Sequence, residues 1–130
     1  MSARILLIDD DPDVLLAIEI LLSHLGYTVE TARNGSEGLK MFRANAPDLV
    51  LTDIIMPEQE GIETIIEMRR LQPNAKIVAM SGGGPMNRDS LLAMTLKLGA
   101  SDTLAKPYDD EQLARVIERV MASYSSVRPN

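Results

Sequence analysis

The sequence contains no cysteine and no tryptophan. The first absence excludes disulfides and thiolate metal sites and accords with a reducing compartment; the second removes the usual intrinsic fluorescence reporter. Basic residues are in the minority, with 13 Lys and Arg against 19 Asp and Glu and a net charge of -6. That balance argues against direct nucleic-acid binding by this domain, which requires a basic face. No apolar run approaches the ~20 residues that span a bilayer, and Met1-Ser2-Ala3-Arg4 enters an apolar pentad without the long apolar region and cleavage site of a signal peptide. The expected protein is cytoplasmic, without membrane contact. Low-complexity segments and fixed-period repeats are also missing.

What is present is enough for one domain with a proper core: 130 residues, 45% of them hydrophobic. The expected domain covers residues 1–122, and residues 123–130 form a short polar tail that holds no output domain. Its centre is Leu49-Val50-Leu51-Thr52-Asp53-Ile54-Ile55-Met56-Pro57, an apolar run that ends in an acid and a turn. Flanked by Pro47-Asp48 and Pro57, the run is too short for a helix and apolar on both faces, which predicts a buried strand. Asp53 then stands at the carboxyl end of that strand, where ligands bind in a helix-covered parallel sheet.

Ile5-Leu6-Leu7-Ile8 predicts an earlier strand that ends in Asp9-Asp10-Asp11. Asp11 and Pro12 form a helix start, and Gly26 follows the apolar-rich segment from Val14 to Leu25 as its stop. Thr28 to Ala32 alternates as a short strand, and Asn34-Gly35 leads into a helix with Leu39, Met41 and Phe42. Ile62, Ile65, Ile66 and Met68 repeat at helical spacing up to Leu71. Lys76 to Met80 predicts a fourth strand ending at Ser81, followed by Gly82-Gly83-Gly84-Pro85 and a helix from about Arg88 to Leu98. Thr103-Leu104-Ala105 is a fifth strand, ending at Lys106-Pro107. The last helix starts at Asp109, with Gln112 completing a capping box. Five strands alternating with five helices predict an α/β fold, a doubly wound parallel sheet covered on both faces.

The strand ends collect Asp9 and Asp10, Asp53, Ser81 and Lys106. In the order 2-1-3-4-5, strands one and three are neighbours and bring Asp9, Asp10 and Asp53 into one crevice. Two carboxylates ~4 Å apart repel by roughly 4 kcal/mol at an effective dielectric near 20, so the cluster requires protons or a cation. An all-oxygen pocket with few direct carboxylates suits Mg²⁺. A phosphoryl group at that ion could be held by Lys106 and the Ser81 hydroxyl, with Asp53 as the nucleophile that becomes an aspartyl phosphate. Each residue alone has an ordinary explanation as a cap, turn or surface charge. Their coincidence at successive strand ends carries the inference.

From Arg4 to about Met121 the chain resembles the receiver domain of two-component response regulators. The resemblance rests on Asp9-Asp10, Asp53 followed by Met56-Pro57 and Gly61, Ser81, Gly99-Ala100 and Lys106-Pro107. It implies a flavodoxin-like sheet of order 2-1-3-4-5, and Asp53 as phosphoacceptor for a sensor histidine kinase or histidine phosphotransfer protein. It further implies Asp10, Asp53 and the Ile55 backbone carbonyl as Mg²⁺ ligands, Asp9 acting through water, Ser81 and Lys106 on the phosphoryl group, and a Lys106-Pro107 bond that is often cis. Such a domain catalyses only its own phosphorylation and dephosphorylation; its downstream target is not readable, and a phosphorylation-dependent dimer belongs to the same expectation.

Two features depart from the family pattern. Thr103 occupies the position where an aromatic side chain often acts as a rotamer switch, while Tyr108 is expected to pack. The loop after Ser81 is about three residues longer than in chemotaxis-type members, and its glycines give it backbone freedom that could reorder it when Ser81 engages phosphate. Ile55 and Gly83 offer no polar group to orient an attacking water, which predicts slow-to-moderate self-hydrolysis. His24 is expected to be a partly packed surface residue, and Met68, Met94 and Met121 fall at core spacing. Lys97, Arg115 and Arg119 are candidates for a partner surface. A Mg²⁺-dependent phosphohydrolase would want a second acid where Ile55 stands, and a flavin carrier would want a phosphate-cradling loop where the chain has three acids.

Overall fold

The computed structural model describes residues 3–54, 60–81 and 88–127, and for residues 60, 88, 89, 91, 92 and 123–127 the backbone alone. The elements run β1 (Arg4–Ile8), α1 (Pro12–His24), β2 (Thr28–Ala32), α2 (Gly35–Ala44), β3 (Leu49–Asp53), α3 (Glu60–Leu71), β4 (Ile77–Ser81), α4 (Arg88–Leu98), β5 (Asp102–Ala105) and α5 (Asp110–Val127). All strands are parallel, in the order β2-β1-β3-β4-β5. The expected alternation and sheet order are therefore present. The last helix continues to Val127, so it runs into the segment expected as a tail.

Alternation along the three central strands explains the two cores. Side chains two apart share a face, so Ile5, Leu7, Leu49, Leu51, Val78 and Met80 meet α1 and α5 through residues such as Leu22 and Ile117. Leu6, Ile8, Val50, Ile77 and Ala79 face the other way, toward Phe42 of α2 and Ile65 and Met68 of α3. Strands buried on both faces must be apolar throughout, which is why β3 and β4 were legible as runs. The edge strands β2 and β5 are only partly buried.

Local chemistry sets the helix ends. The Asp13 amide donates to the Asp11 side chain at 2.9 Å with Pro12 in the first turn, and the Glu37 amide donates to Asn34 at 2.8 Å. At α5 the capping box is reciprocal: the Gln112 amide donates to Asp109 at 2.8 Å, and the Asp109 amide to the Gln112 side chain at 2.9 Å.

Other expectations fare differently. Met68 is fully buried and Met121 is partly packed, but Met94 is 37% exposed while its neighbour Thr95 is buried. The sequence of α4 is apolar nearly all round, so spacing alone could not choose its inner face. His24 is exposed. Tyr108 does pack against the α1/α5 core, its hydroxyl 3.5 Å from the Met80 sulfur. Arg119 pairs with Asp102 at 2.8 Å and Arg115 with Glu111 at 3.0 Å, which leaves Lys97 as the exposed member of the expected cationic surface without such a pair among the described residues.

Candidate functional site

Strand register brings the site together. Ile8 of β1 lies opposite Thr52 of β3, so Asp9 and Asp53 end neighbouring strands. Met80 lies opposite Asp53, and Ser81 opposite Ala105, which places Lys106 one residue beyond. Alternation puts Asp9, Asp53 and Lys106 on the same side of the sheet as Ile5, Leu51 and Leu104. Ser81 shares the other side with Ile77 and Ala79.

The carboxylates of Asp9, Asp10 and Asp53 each offer an oxygen within 4.8 Å of the others. Asp9 is 1% exposed and Asp53 7%, whereas Asp10 stands in solvent. Lys106 reaches in from β5 with Nζ 3.3 Å from Asp53 Oδ2 and 3.6 Å from Asp9 Oδ2. Its backbone is fixed by the bond from the Lys106 amide to the Ser81 carbonyl at 2.9 Å, and the Lys106-Pro107 peptide is cis.

One cation among three acids leaves the charge unbalanced. Burial raises the Asp9 pKa; the hydrogen bond from the Asp11 amide, 3.0 Å from Asp9 Oδ1, opposes this, and the Asp53 charge adds to it. Burial works against the charge on Lys106, but Asp53 and Asp9 together outweigh it and its pKa is raised. Both shifts hold protons in a crevice that carries excess negative charge.

Two buried polar atoms have no hydrogen-bond partner among the described residues: Asp9 Oδ2 and Ser81 Oγ. Unsatisfied buried oxygens ordinarily cost about 1–3 kcal/mol each. The donor set is entirely oxygen, clustered and anionic, which fits a hard divalent cation. Thus Asp9, Asp10, Asp53 and Lys106 converge as expected. Ser81 is adjacent in register and its hydroxyl is buried away from them. The expected ligand at Ile55, the Met56-Pro57 turn and the Gly82-Gly83-Gly84-Pro85 loop lie outside the described residues.

Gly61, which the sequence marked only by resemblance, has a steric cause. A Cβ there would lie 2.4 Å from Ile54 Cα and 2.7 Å from the Asp53 carbonyl oxygen, so α3 approaches the end of β3 at a distance only glycine permits. Sequence reasoning missed Arg69 altogether. Its guanidinium donates to the Gly99 carbonyl and to the Pro73 carbonyl, a contact across 30 residues of chain that no local pattern announces.

The chain matches the family model described as the response regulator receiver domain over residues 5–118. It is 31% identical over 121 residues to the chemotaxis protein CheY of Thermotoga maritima, covering 92% of this chain and 98% of that one. It is 33% identical to the transcriptional regulatory protein GlrR of Escherichia coli, covering 89% of this chain but 26% of that protein. A crystal structure of a receiver domain protein from Clostridium thermocellum superposes with a TM-score of 0.87 at 30% identity, covering 97% of this chain and 99% of that one.

Proposed function

Because the chain belongs to the response regulator receiver domain family, we propose that it accepts a phosphoryl group from a phosphohistidine onto Asp53 in a Mg²⁺-dependent reaction, and that this modification switches its signalling state. The observation that carries this reading is the meeting of three carboxylates and one lysine beyond the ends of β1, β3 and β5, with Asp9 Oδ2 buried and without a hydrogen bond among the described residues.

Asp53 forms the new oxygen–phosphorus bond while the phosphorus–nitrogen bond of the donor breaks; the imidazole nitrogen keeps the electron pair and takes a proton. Asp10, Asp53 and the Ile55 carbonyl would hold Mg²⁺, with Asp9 acting through water. The bound ion supplies positive charge that relieves the acidic cluster and neutralises phosphoryl oxygens. Lys106 exchanges its ion pair with the unmodified Asp53 carboxylate for one with the phosphoryl group on it. Ser81 supplies the last donor: its hydroxyl, without a hydrogen-bond partner among the described residues, gains one by turning to the phosphoryl group.

The donor is a sensor histidine kinase or a histidine phosphotransfer protein. The outer face of α1 supports this partner, since Leu16 is 57% and Ile20 61% exposed one helical turn apart. Acidic residues Glu19 and Asp110 line the same surface as Leu16 and Ile20, so a partner helix with apolar side chains and basic neighbours fits it. The domain catalyses its own phosphorylation and dephosphorylation and no other reaction.

Phosphoramidate, a small donor with the phosphorus–nitrogen bond of phosphohistidine, tests the reading on a phosphate-affinity gel. Slow-migrating protein is expected with Mg²⁺ and not after EDTA or in Asp53→Asn. Equal modification of the variant would overturn it.

A further inference from the structure

The peptide by which the chain leaves β3 is held at both of its polar ends. Its N–H, on Ile54, donates to the Met80 carbonyl of β4 at 3.0 Å. Its carbonyl, on Asp53, points the opposite way, as in any trans peptide, toward the side where β1 lies. There the pairing of β1 with β3 has ended at Ile8 and Thr52, and the Asp9 amide donates to the Ala32 carbonyl of β2 at 3.1 Å. The Thr52 hydroxyl reaches the Asp53 carbonyl, donating to it at 3.0 Å. Helix α3 closes over the same peptide: a Cβ on Gly61 would stand 2.7 Å from the Asp53 carbonyl oxygen and 2.9 Å from the Ile54 carbonyl carbon.

Thr52 is also out of character for its strand. It is completely buried, and apart from Asp53 it is the only polar side chain of β3. Valine would match its branched shape and suit a doubly buried strand at least as well. A hydroxyl buried there needs a hydrogen bond, and the bond it makes ends on the backbone of Asp53. Fixing that peptide fixes ψ of Asp53, one of the two soft torsions that direct its side chain. The carboxylate so directed lies 3.3 Å from Lys106 Nζ and has an oxygen within 4.8 Å of those of Asp9 and Asp10.

We propose that Thr52 is a positioning residue for phosphoryl transfer: its hydroxyl locks the Asp53–Ile54 peptide and so aims the Asp53 carboxylate. The step it serves rests on the phosphoacceptor reading above, whereas the lock is a property of the resting protein. Without the hydroxyl the carboxylate samples more orientations and meets the phosphorus in line less often, and a misplacement of about 1 Å is enough to cost up to about 100-fold in rate. Lys106 and the other carboxylates are untouched, so the affinity for a small donor stays as it is.

Three variants of the full chain test this. Thr52→Val keeps the branched shape and drops the hydroxyl, Thr52→Ser keeps the hydroxyl, and Val120→Ala in the α5 core supplies a general loss of stability remote from the site. In amide hydrogen exchange by NMR, Thr52→Val should speed the Ile54 amide about tenfold. The Val50 amide, which donates to the Lys76 carbonyl at 2.8 Å earlier in the strand, should change less than about twofold. Thr52→Ser should return Ile54 to the wild-type rate. An unchanged Ile54, or an equal acceleration of Ile54 and Val50 like that of Val120→Ala, would overturn the lock. With phosphoramidate and Mg²⁺, Thr52→Val should lower the rate at saturating donor about tenfold or more with KM unchanged, while Thr52→Ser and Val120→Ala stay within about twofold of wild type. A valine variant as fast as the wild type, a serine variant as slow as valine, or equal slowing by Val120→Ala would overturn the role in transfer. A wild-type protein that phosphoramidate leaves unmodified contradicts the phosphoacceptor reading and takes the role in transfer with it; the exchange comparison then supports or overturns the lock by itself.

Discussion

Replacing Asp9 by Asn should make the metal-free protein more stable, although the residue is buried. Asp9 and Asp53 offer oxygens within 4.8 Å, a repulsion of about 3.5 kcal/mol at an effective dielectric near 20. The solvent-exposed Asp10 adds a smaller, screened share. Against this, Asp9 Oδ2 gains from Lys106 at 3.6 Å, about 4.6 kcal/mol on the same scale. The charge terms nearly cancel, and what remains is the cost of burying an ion, several kcal/mol before relaxation. Asn retains the oxygen that accepts from the Asp11 amide, and its amide hydrogens can face Asp53. A net gain of about 1–2 kcal/mol follows, or roughly 4–7 °C in Tm for a domain of this size.

The pH dependence has a definite sign. The Asp9 pKa is raised in the folded state from its ordinary 3.8, so the wild type keeps this contribution below that value and loses it as pH rises through the folded pKa. The advantage of Asp9→Asn should therefore be present at neutral pH and vanish toward pH 3.8. Mg²⁺ should shrink it too, because a ligand at 100 times its Kd stabilises the wild type by about 2.7 kcal/mol and the variant by less. Thermal unfolding followed by circular dichroism, with EDTA and with Mg²⁺, measures each term. A variant less stable than the wild type in EDTA at neutral pH would refute the electrostatic account of the cluster.

Three other substitutions probe the surrounding parts. Ser81→Ala removes a buried hydroxyl that has no hydrogen-bond partner among the described residues, so urea unfolding should show no loss and up to about 1 kcal/mol of gain, while phosphorylation slows; a clear destabilisation would mean the hydroxyl is bonded. Gly61→Ala forces α3 off the end of β3, where the added carbon would stand 2.4 Å from Ile54 Cα. The expected cost is about 1–3 kcal/mol together with slower modification of Asp53, and normal values for both would show that the approach is not tight in solution. Ile20→Glu places a charge on the exposed α1 face and should slow transfer from a cognate phosphohistidine protein about tenfold or more, leaving the rate with acetyl phosphate unchanged; equal slowing of both donors would remove α1 from recognition.

How far the sequence reached depended on whether a local pattern had only one structural meaning. β1, β3 and β4 were readable because short apolar runs bounded by turn residues suit only doubly buried strands, and the site followed because acids ended β1 and β3 while a lysine followed β5. α4 was not readable in detail: with Leu, Ala and Met on nearly every side, the expected burial of Met94 was as good as that of Thr95, and tertiary packing chose Thr95. Leu16 and Ile20 hid for the opposite reason, since an outward apolar pair at helical spacing looks the same as an inward one. Gly61 carried no local signal beyond its motif, because its cause is the backbone of Ile54 just after β3. Arg69 could not be separated from Arg70, though one grips the Gly99 carbonyl and the other pairs on the surface with Glu67.

The most direct test of the central claim is intact-mass spectrometry after incubation with acetyl phosphate and Mg²⁺, followed by peptide mapping. A single phosphoryl adduct located on Asp53, lost with EDTA and absent from Asp53→Asn, is the predicted result. An adduct on another residue, or none in a protein that Mg²⁺ visibly stabilises, would contradict the account.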